Sequence, residues 1–456
     1  MARLAIIGGG ISGLSLAFCL LKKHTGYEIT VFESEKIPGG KIKTERTEGF
    51  LCEWGVNGFL DNRPKTLELC RRLSIEPLRS NDASRKRFIF SGGRLHRLPE
   101  SPPAFLKSDL LTLTGRMRVM MEPLLPGNPR DEETLAGFAR RRLGREALDK
   151  LIDPMASGIY AGNPETLSLR ACFPKVYDLE KNYGGLVRGM IGLQRARKKQ
   201  GSAEKVGAGP GGVLTSFSEG MGVMVKSLEL LIGTRLRTGY RAVSIERTGG
   251  GYSIGFADGS SFEAECVVIA SPAYAAAEML KPLDRRLSNL VAEIPYPSLS
   301  VACFGYRKEK MPRELDAFGY LIPSGEKRKI LGTLYDSCIF PNRAPEGYVL
   351  LRSMVGGARA SELALESDKR ITDMVIRELS DIIGISAHPD FVRIFRHEFA
   401  IPQYTVGHLE RLRTLELLRE KHPGLYLTGN PYRGIGVNDC IEQASLLSQK
   451  IIEDSF

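Results

Sequence analysis

Residues 3–13 read Arg3-Leu4-Ala5-Ile6-Ile7-Gly8-Gly9-Gly10-Ile11-Ser12-Gly13, and this stretch decides the fold. The first five are an apolar run of strand type. Gly8, Gly10 and Gly13 then fall in the pattern Gly-x-Gly-x-x-Gly, and a helical stretch comes next through Leu14, Ala17, Cys19, Leu20 and Leu21. A second apolar run, Glu28-Ile29-Thr30-Val31-Phe32, ends at Glu33, which completes a βαβ unit with an acid at the tip of its second strand. Each part has a physical task. Gly8 permits the tight turn, Gly10 lets the backbone approach a pyrophosphate, and Gly13 lets helix and strand pack closely. Gly9, Ile11 and Ser12 complete the loop, whose helix N-terminus turns free N–H groups toward phosphate. Glu33, with Ser34 beside it, can accept both ribose hydroxyls, and its charge repels a 2′-phosphate. The fingerprint predicts a bound dinucleotide and leaves FAD and NAD both open.

The rest of the chain sets bounds on that reading. At 456 residues it has length for about three domains. With 42% hydrophobic and 26% charged residues it is an ordinary globular composition, which excludes a disordered or fibrous chain. The net charge of +11 suits an anionic partner, whether nucleic acid, membrane surface or acidic substrate, without choosing among them. The eight cysteines are scattered, with no Cys-x-x-Cys pair and no histidine at ligand spacing, so neither a metal site nor a disulfide framework is expected, and the thiols read as reduced in a cytoplasmic protein. Residues 4–21 are uncharged but glycine-broken, and no other apolar run approaches the ~18 residues of a membrane span.

The residues beyond Glu33 narrow the cofactor. Gly39-Gly40-Lys41 lies just past the second strand, then come Phe50, Glu53 and Gly55-Val56-Asn57-Gly58. This second glycine pair with a base after it resembles the extension of flavoproteins in the amine oxidase and protoporphyrinogen oxidase superfamily. The resemblance implies that Gly40, Lys41 and the run Gly55, Val56, Asn57, Gly58 line FAD, held non-covalently. At the other end, residues 424–430 read as a buried strand entering a glycine-rich turn at Asn430, and Gly434-Ile435-Gly436-Val437 opens a helix for which Asn438 or Asp439 is the expected N-cap. Cys440, Ala444, Leu447 and Ile451 give that helix one apolar face. Asn430, Ile435, Gly436 and Val437 are expected at the cofactor, with a second helix N-terminus favouring negative charge on a reduced flavin. In the middle, residues 211–222 precede an amphipathic stretch through Val225, Leu228 and Leu231. A β-meander over residues 241–270 comes next, its strand at Val243 expected to touch FAD and its last strand wholly apolar.

Specific motifs then run the length of the chain: residues 85–99 as a hairpin, Arg140-Arg141-Arg142-Leu143-Gly144, residues 158–164 and 167–174, residues 318–323, residues 334–337, Ile401-Pro402-Gln403-Tyr404-Thr405-Val406-Gly407-His408, and Val437-Asn438-Asp439-Cys440-Ile441-Glu442. In order, they resemble the protoporphyrinogen oxidases. The resemblance implies an α/β fold, α+β overall, of the p-hydroxybenzoate hydroxylase and amine oxidase type. Its FAD-binding domain is discontinuous and Rossmann-like (1–82, 206–285 and 400–456), its substrate domain mixed α+β (83–98 and 286–399), and its third domain mostly helical and membrane-associating (99–205). It further implies that Arg87 pairs with a porphyrinogen propionate, that Phe318 and Leu321 sandwich a pyrrole, that Gly158 leaves room for the macrocycle, and that Met354 forms part of the pocket wall. Hydride would pass from a meso carbon to flavin N5 and a proton would leave an N–H, with O2 reoxidising the flavin to give H2O2, repeated until six hydrogens are removed. No side chain is singled out as acid, base or metal ligand.

Residues 103–125 are rich in apolar side chains, among them Phe105, Leu106, Leu110, Leu111, Leu113, Val119, Met120, Met121, Leu124 and Leu125, interrupted by Lys107, Arg116 and Arg118, and suit monotopic membrane contact or a packed helical hairpin. The implied location is cytoplasmic, peripheral on the cytoplasmic membrane, with a homodimer common among similar proteins. Arg195-Ala196-Arg197-Lys198-Lys199 with Gly201 and Ser202 reads as an exposed, mobile loop, and nothing resembles a nucleic-acid module. Coproporphyrinogen III is the nearest alternative substrate. A flavin amine oxidase, with Tyr432 as half of an aromatic pair, and a non-enzymatic tetrapyrrole-binding flavoprotein stand further off.

Overall fold

The structure, a computed structural model, describes residues 1–23, 26–199 and 211–454. Gly201, Ser202 and residues 206–210 of the expected domains lie outside these. Strand β1 (Ala2–Ile7) leads through the glycine turn into α1 (Ile11–Lys22) and returns as β2 (Tyr27–Glu33). Together with Leu236–Thr238, Cys266–Ile269 and Leu425–Leu427 these strands form a five-stranded, wholly parallel sheet with β1 at its centre. The apolar runs stem from this position, because a central parallel strand buries both faces. Leu4 and Ile6 point into a core with Leu14, Phe18, Val225, Leu228, Ala444 and Ile451. Ala5 and Ile7 point the other way, onto the meander residues Ile245, Ile254 and Phe256 and the helices Ala273–Leu280 and Arg285–Ala292.

Two local expectations shift. In Gly222–Ile232 the buried stripe is Met224, Val225, Leu228 and Ile232, while Leu231 is exposed. Arg195 to Lys199 is the end of a helix, Leu186–Lys199, rather than loop.

A second, seven-stranded sheet runs in the order Phe391–His397, Leu299–Arg307, Tyr348–Gly356, Ile330–Leu334, Gly319–Leu321, Arg87–Ser91, Arg94–Arg97. Its neighbours are antiparallel except that Gly319–Leu321 and Arg87–Ser91 run parallel. Successive residues of Tyr348–Gly356 alternate between two cores. Leu351 and Val355 meet the helix Asp368–Ile383 through Ile371, Val375 and Leu379. Leu350 faces the hairpin Thr44–Thr47/Phe50–Glu53, where Phe50 stacks on Phe391 at 4.3 Å and joins Cys52, Val301 and Cys303. This hairpin links the two sheets.

Residues 102–199 form a series of short helices joined by loops, held by an ion group in which Arg142 pairs with Glu122 and Arg141 with Glu133 and Glu180. Among the described residues no helix is long and apolar enough to cross a membrane.

Candidate functional site

The glycines at the end of β1 do what their spacing requires. Gly8 takes φ +117°, donates its N–H to Phe32 O at 2.8 Å, and stands where a Cβ would come within 2.9 Å of the Ala270 carbonyl. A Cβ at Gly13 would run into the carbonyl oxygen of Gly8. Gly10 is the opposite case, with the nearest atom to a would-be Cβ the Gly40 Cα at 4.0 Å. Gly39 N–H bonds Gly9 O at 2.8 Å, so the two glycine turns, residues 8–10 and 39–40, lie face to face. Gly10 caps α1 with no side chain on the N–H groups of its first turn, the turn that holds Ile11 and Ser12. Glu33 is buried at the tip of β2. It accepts Gly9 N–H at 2.7 Å through Oε2, and the Ser34 hydroxyl and Glu35 N–H at 3.1 and 2.9 Å through Oε1. Val243 falls at the register shift between Ala242 and Ser244, which removes it from the ladder and leaves it 41% exposed.

Residues 55–58 form the next wall. Both polar atoms of the Asn57 side chain are buried without a partner, an expensive state unless a ligand completes them. Val56 packs into the core, and Gly58 lies where a Cβ would strike Thr215 O. Gly55 is exposed, and its carbonyl accepts Arg352 Nη1 at 3.1 Å. Lys41 Nζ donates to Phe399 O at 2.6 Å, and burial, aided by Lys43, lowers its pKa to about 8.

The C-terminal helix Val437–Glu453 starts one residue before the expected caps. Gly436 is its N-cap, Asp439 sits at the third helical position and accepts the Gly436 N–H at 3.2 Å, and Asn438 donates instead to Leu60 O at 2.9 Å. The two glycines of Gly434-Ile435-Gly436 leave Val437 free to begin the turn, so neither polar residue is needed as the cap. Asn430 O accepts the Tyr404 hydroxyl at 2.5 Å, and Ile435 packs against the same aromatic group. The open ground at Gly10, the uncapped first turn of α1, the Glu33 carboxylate and the orphaned Asn57 amide fit a dinucleotide flavin.

On the second sheet, the parallel register sets Arg87 opposite Gly319, and Phe318 N–H bonds Lys86 O at 2.8 Å. The Arg87 guanidinium carbon lies 5.0 Å from the Phe318 ring centroid. Arg87 is exposed at the start of its strand; partial desolvation lowers its pKa and Glu100 opposes the shift, but Glu100 is itself paired with Arg97, and no described carboxylate pairs with Arg87. Gly158 is exposed on the helix Asp153–Tyr160, where a Cβ would come within 2.9 Å of Leu321 Cδ1. Arg87 with Phe318 and Leu321 with Gly158 are thus two separate contacts on neighbouring strands. Met354 belongs to an adjoining apolar group with Ala161, Leu299 and Leu331.

Two features escape a reading of motifs. Asp153, buried, accepts Ser324 N–H at 2.7 Å and meets Arg359 at 2.5 Å, bracing the Gly158 helix against the sheet. Arg352 and Asp336, both buried, form an ion pair at 2.9 Å. The signal for Arg352 was present: a lone arginine within Tyr-Val-Leu-Leu-Arg-Ser-Met-Val-Gly must find a counter-charge if the strand is buried.

A parallel sheet with a dinucleotide-type glycine turn, beside a second and largely antiparallel sheet, gives the fold of the amine oxidase-type flavoproteins. Residues 11–452 match the flavin containing amine oxidoreductase family, and the chain belongs to that family. It is 31% identical over 458 residues to the coproporphyrinogen III oxidase of Bacillus subtilis (strain 168), covering 97% of this chain and 96% of that one. It is also 31% identical over 460 residues to protoporphyrinogen oxidase 1, chloroplastic, of Arabidopsis thaliana, covering 96% of this chain and 86% of that one. A crystal structure from Exiguobacterium sp. 255-15, provisionally designated a protoporphyrinogen oxidase, aligns over 99% of both chains with a TM-score of 0.85 at 26% identity.

Proposed function

We propose that this chain oxidises protoporphyrinogen IX to protoporphyrin IX with non-covalently held FAD and O2, releasing H2O2. The observation that carries the reading is the Arg87 guanidinium on the face of Phe318, with no described carboxylate as its partner, on a strand beside the one whose Leu321 packs directly on Gly158. A guanidinium without a protein carboxylate suits a propionate, since it offers two parallel donors. Phe318 and Leu321 supply apolar faces for a pyrrole, and the missing side chain at Gly158 supplies width. Met354 extends the wall.

FAD supplies the hydride acceptor. This chain's residues hold and orient it: the turn at Gly8 to Gly13 and Glu33 at the nucleotide end, with Ser34 and Val243 beside it, then Gly40, Lys41 and residues 55–58 along its length. Asn430, Ile435, Gly436 and Val437 close the far side. No side chain need act as acid or base, and binding and alignment carry the catalysis. We further propose that the exposed apolar side chains of residues 106–124 rest on a membrane surface.

Coproporphyrinogen III oxidation is the second reading, favoured by the similarity to the Bacillus subtilis enzyme over nearly its whole length. Both are tested by tracking porphyrin fluorescence from flavin-loaded protein with each porphyrinogen, subtracting spontaneous oxidation. A clear preference for protoporphyrinogen IX supports the first reading and a preference for coproporphyrinogen III the second. No rate with either overturns both.

A further inference from the structure

We propose that Arg352 is a positioning residue that fixes the flavin loop, residues 55–58, against the sheet carrying the candidate substrate pocket. The inference rests on the flavin reading of that loop. Arg352 stands on Tyr348–Gly356, 2% exposed. Its Nε meets Asp336 Oδ2 at 2.9 Å and its Nη1 donates to Gly55 O at 3.1 Å. One guanidinium thus spans a carboxylate on the substrate sheet's side and a carbonyl at the head of the flavin loop.

The loop is held at its preceding residues as well. Glu53, fully buried at the end of Phe50–Glu53, accepts Met221 N–H and the Thr44 hydroxyl, both at 2.7 Å, and lies 3.7 Å from Arg343. Glu53, Arg343, Asp336 and Arg352 are two acids and two bases at 0–2% exposure. Burying acids and bases as pairs costs more than packing apolar residues of the same volume, and burial raises the Glu53 and Asp336 carboxyls accordingly, so these groups are poor stabilisers and good fixers of geometry. The loop they hold carries Asn57, whose side-chain amide is buried with no protein partner.

The same strand carries Met354, two residues on and therefore on the same face. Cofactor loop and pocket wall are consequently referenced to one rigid element, and Arg352 sets their relation. A slip here would leave both sites built and mis-spaced, a fault that reaction rates register more than substrate affinity.

The test pairs Arg352→Met with Asp336→Asn in one chain, removing both buried charges together so that neither is left uncompensated. FAD affinity, the visible circular dichroism of bound flavin and the thermal midpoint of flavin-free protein are measured first, then kcat and KM with porphyrinogen. The expected result is FAD affinity weakened by about tenfold with an altered flavin spectrum. The flavin-free midpoint stays close to the parent's, and kcat falls more than KM rises. Arg352→Lys keeps the charge for Asp336 but not the second donor for Gly55 O, so it should fold and still show the flavin change. Parent-like flavin affinity and spectrum in the folded double variant would overturn the proposal. If that variant fails to fold, Arg352→Lys decides alone, with parent-like flavin binding again the overturning result. The flavin measurements need no porphyrinogen, so inertness toward porphyrinogen would sink the proposed function without deciding the role of Arg352.

Discussion

Arg87 and Phe318 stand face to face, guanidinium carbon 5.0 Å from ring centroid, on strands whose parallel register sets Gly319 opposite Arg87. The ring desolvates one side of the cation while no described carboxylate pairs with it. A charge-assisted bond to a propionate is worth about 1.5–3 kcal/mol, or roughly 10- to 100-fold in affinity. Arg87→Ala should therefore lower kcat/KM by about that factor, mostly through KM. Flavin content should be unchanged, because Arg87 lies outside the flavin cradle. Steady-state porphyrin fluorescence checks it, and an unchanged KM would remove Arg87 from the pocket.

Gly158 separates pocket width from fold stability. An alanine in a helix interior gains about 1 kcal/mol over glycine. Its Cβ would press to 2.9 Å on Leu321 Cδ1, the far end of a side chain that can turn aside. Gly158→Ala should thus melt no lower than the parent yet bind porphyrinogen more weakly, and Gly158→Leu should bind weaker still. Thermal scans and KM on the same preparations distinguish this from a purely structural glycine, whose alanine variant would keep the parent KM.

Two glycines of the first turn should fail differently. Gly10 has open ground around it, so Gly10→Ala should fold with a flavin-free midpoint near the parent's and retain little flavin. Gly13→Ala drives a methyl into the Gly8 carbonyl, and neither backbone segment can yield cheaply. It should lower the flavin-free midpoint as well. Visible absorbance after purification and melting of the flavin-free chain read the two effects apart.

The parallel sheet was legible because β1, β2 and the strand at Cys266 are buried on both faces, and burial on both faces writes itself as unbroken apolar runs. Glycine positions were legible for a related reason: a turn that must approach phosphate tolerates few alternatives. The cap of the C-terminal helix was misread because Asn438 and Asp439 carry cap chemistry, and only backbone geometry shows Gly436 in that place. Leu231 was misjudged by local pattern, because packing against distant segments decides which stripe of a helix is buried, and the helix Leu186–Lys199 runs on through a basic run that reads locally as loop. The Arg352–Asp336 pair joins residues 16 positions apart whose meeting depends on the sheet, and no local spacing announces it.

His408 makes the fold sensitive to acid. It stacks on Tyr404 at 4.2 Å, with Nε2 3.1 Å from Tyr432 O, and burial lowers its pKa from 6.5 to about 4. Between those values the unfolded chain takes up a proton that the folded chain refuses. Stability is therefore lost as pH falls through this window, by at most about 3 kcal/mol. Glu53 acts with the opposite sign. Burial raises its pKa from 4.5 to about 7, so the folded chain holds the extra proton and stability falls as pH rises across that range. Denaturant titrations from pH 4 to 7.5 should show His408→Phe losing less stability than the parent on acidification. Glu53→Gln should lose less on alkalinisation. Parallel curves would refute either assignment.

The apolar side chains of residues 106–124 divide sharply. Leu110 and Leu111 are buried, while Leu113, Met117, Met120 and Leu124 are 54–74% exposed on the helix Leu113–Met120 and the turn after it. Arg118 is spent internally, on the carbonyls of Arg141 and Arg142 at 2.7 and 2.9 Å, so it contributes less to a basic flank than its position in the sequence implies. Docking on a membrane should consequently depend on apolar area more than on charge. Each leucine buried in lipid is worth about 1.5–3 kcal/mol, so Leu113→Glu with Leu124→Glu should reduce vesicle binding more than tenfold. Those positions are exposed, so the melting temperature should hold. Raising salt should weaken binding to anionic vesicles only modestly. Co-sedimentation with neutral and anionic vesicles tests this. Binding to anionic vesicles alone, abolished by salt and unaffected by the leucine changes, would replace an inserted apolar edge with a purely electrostatic contact.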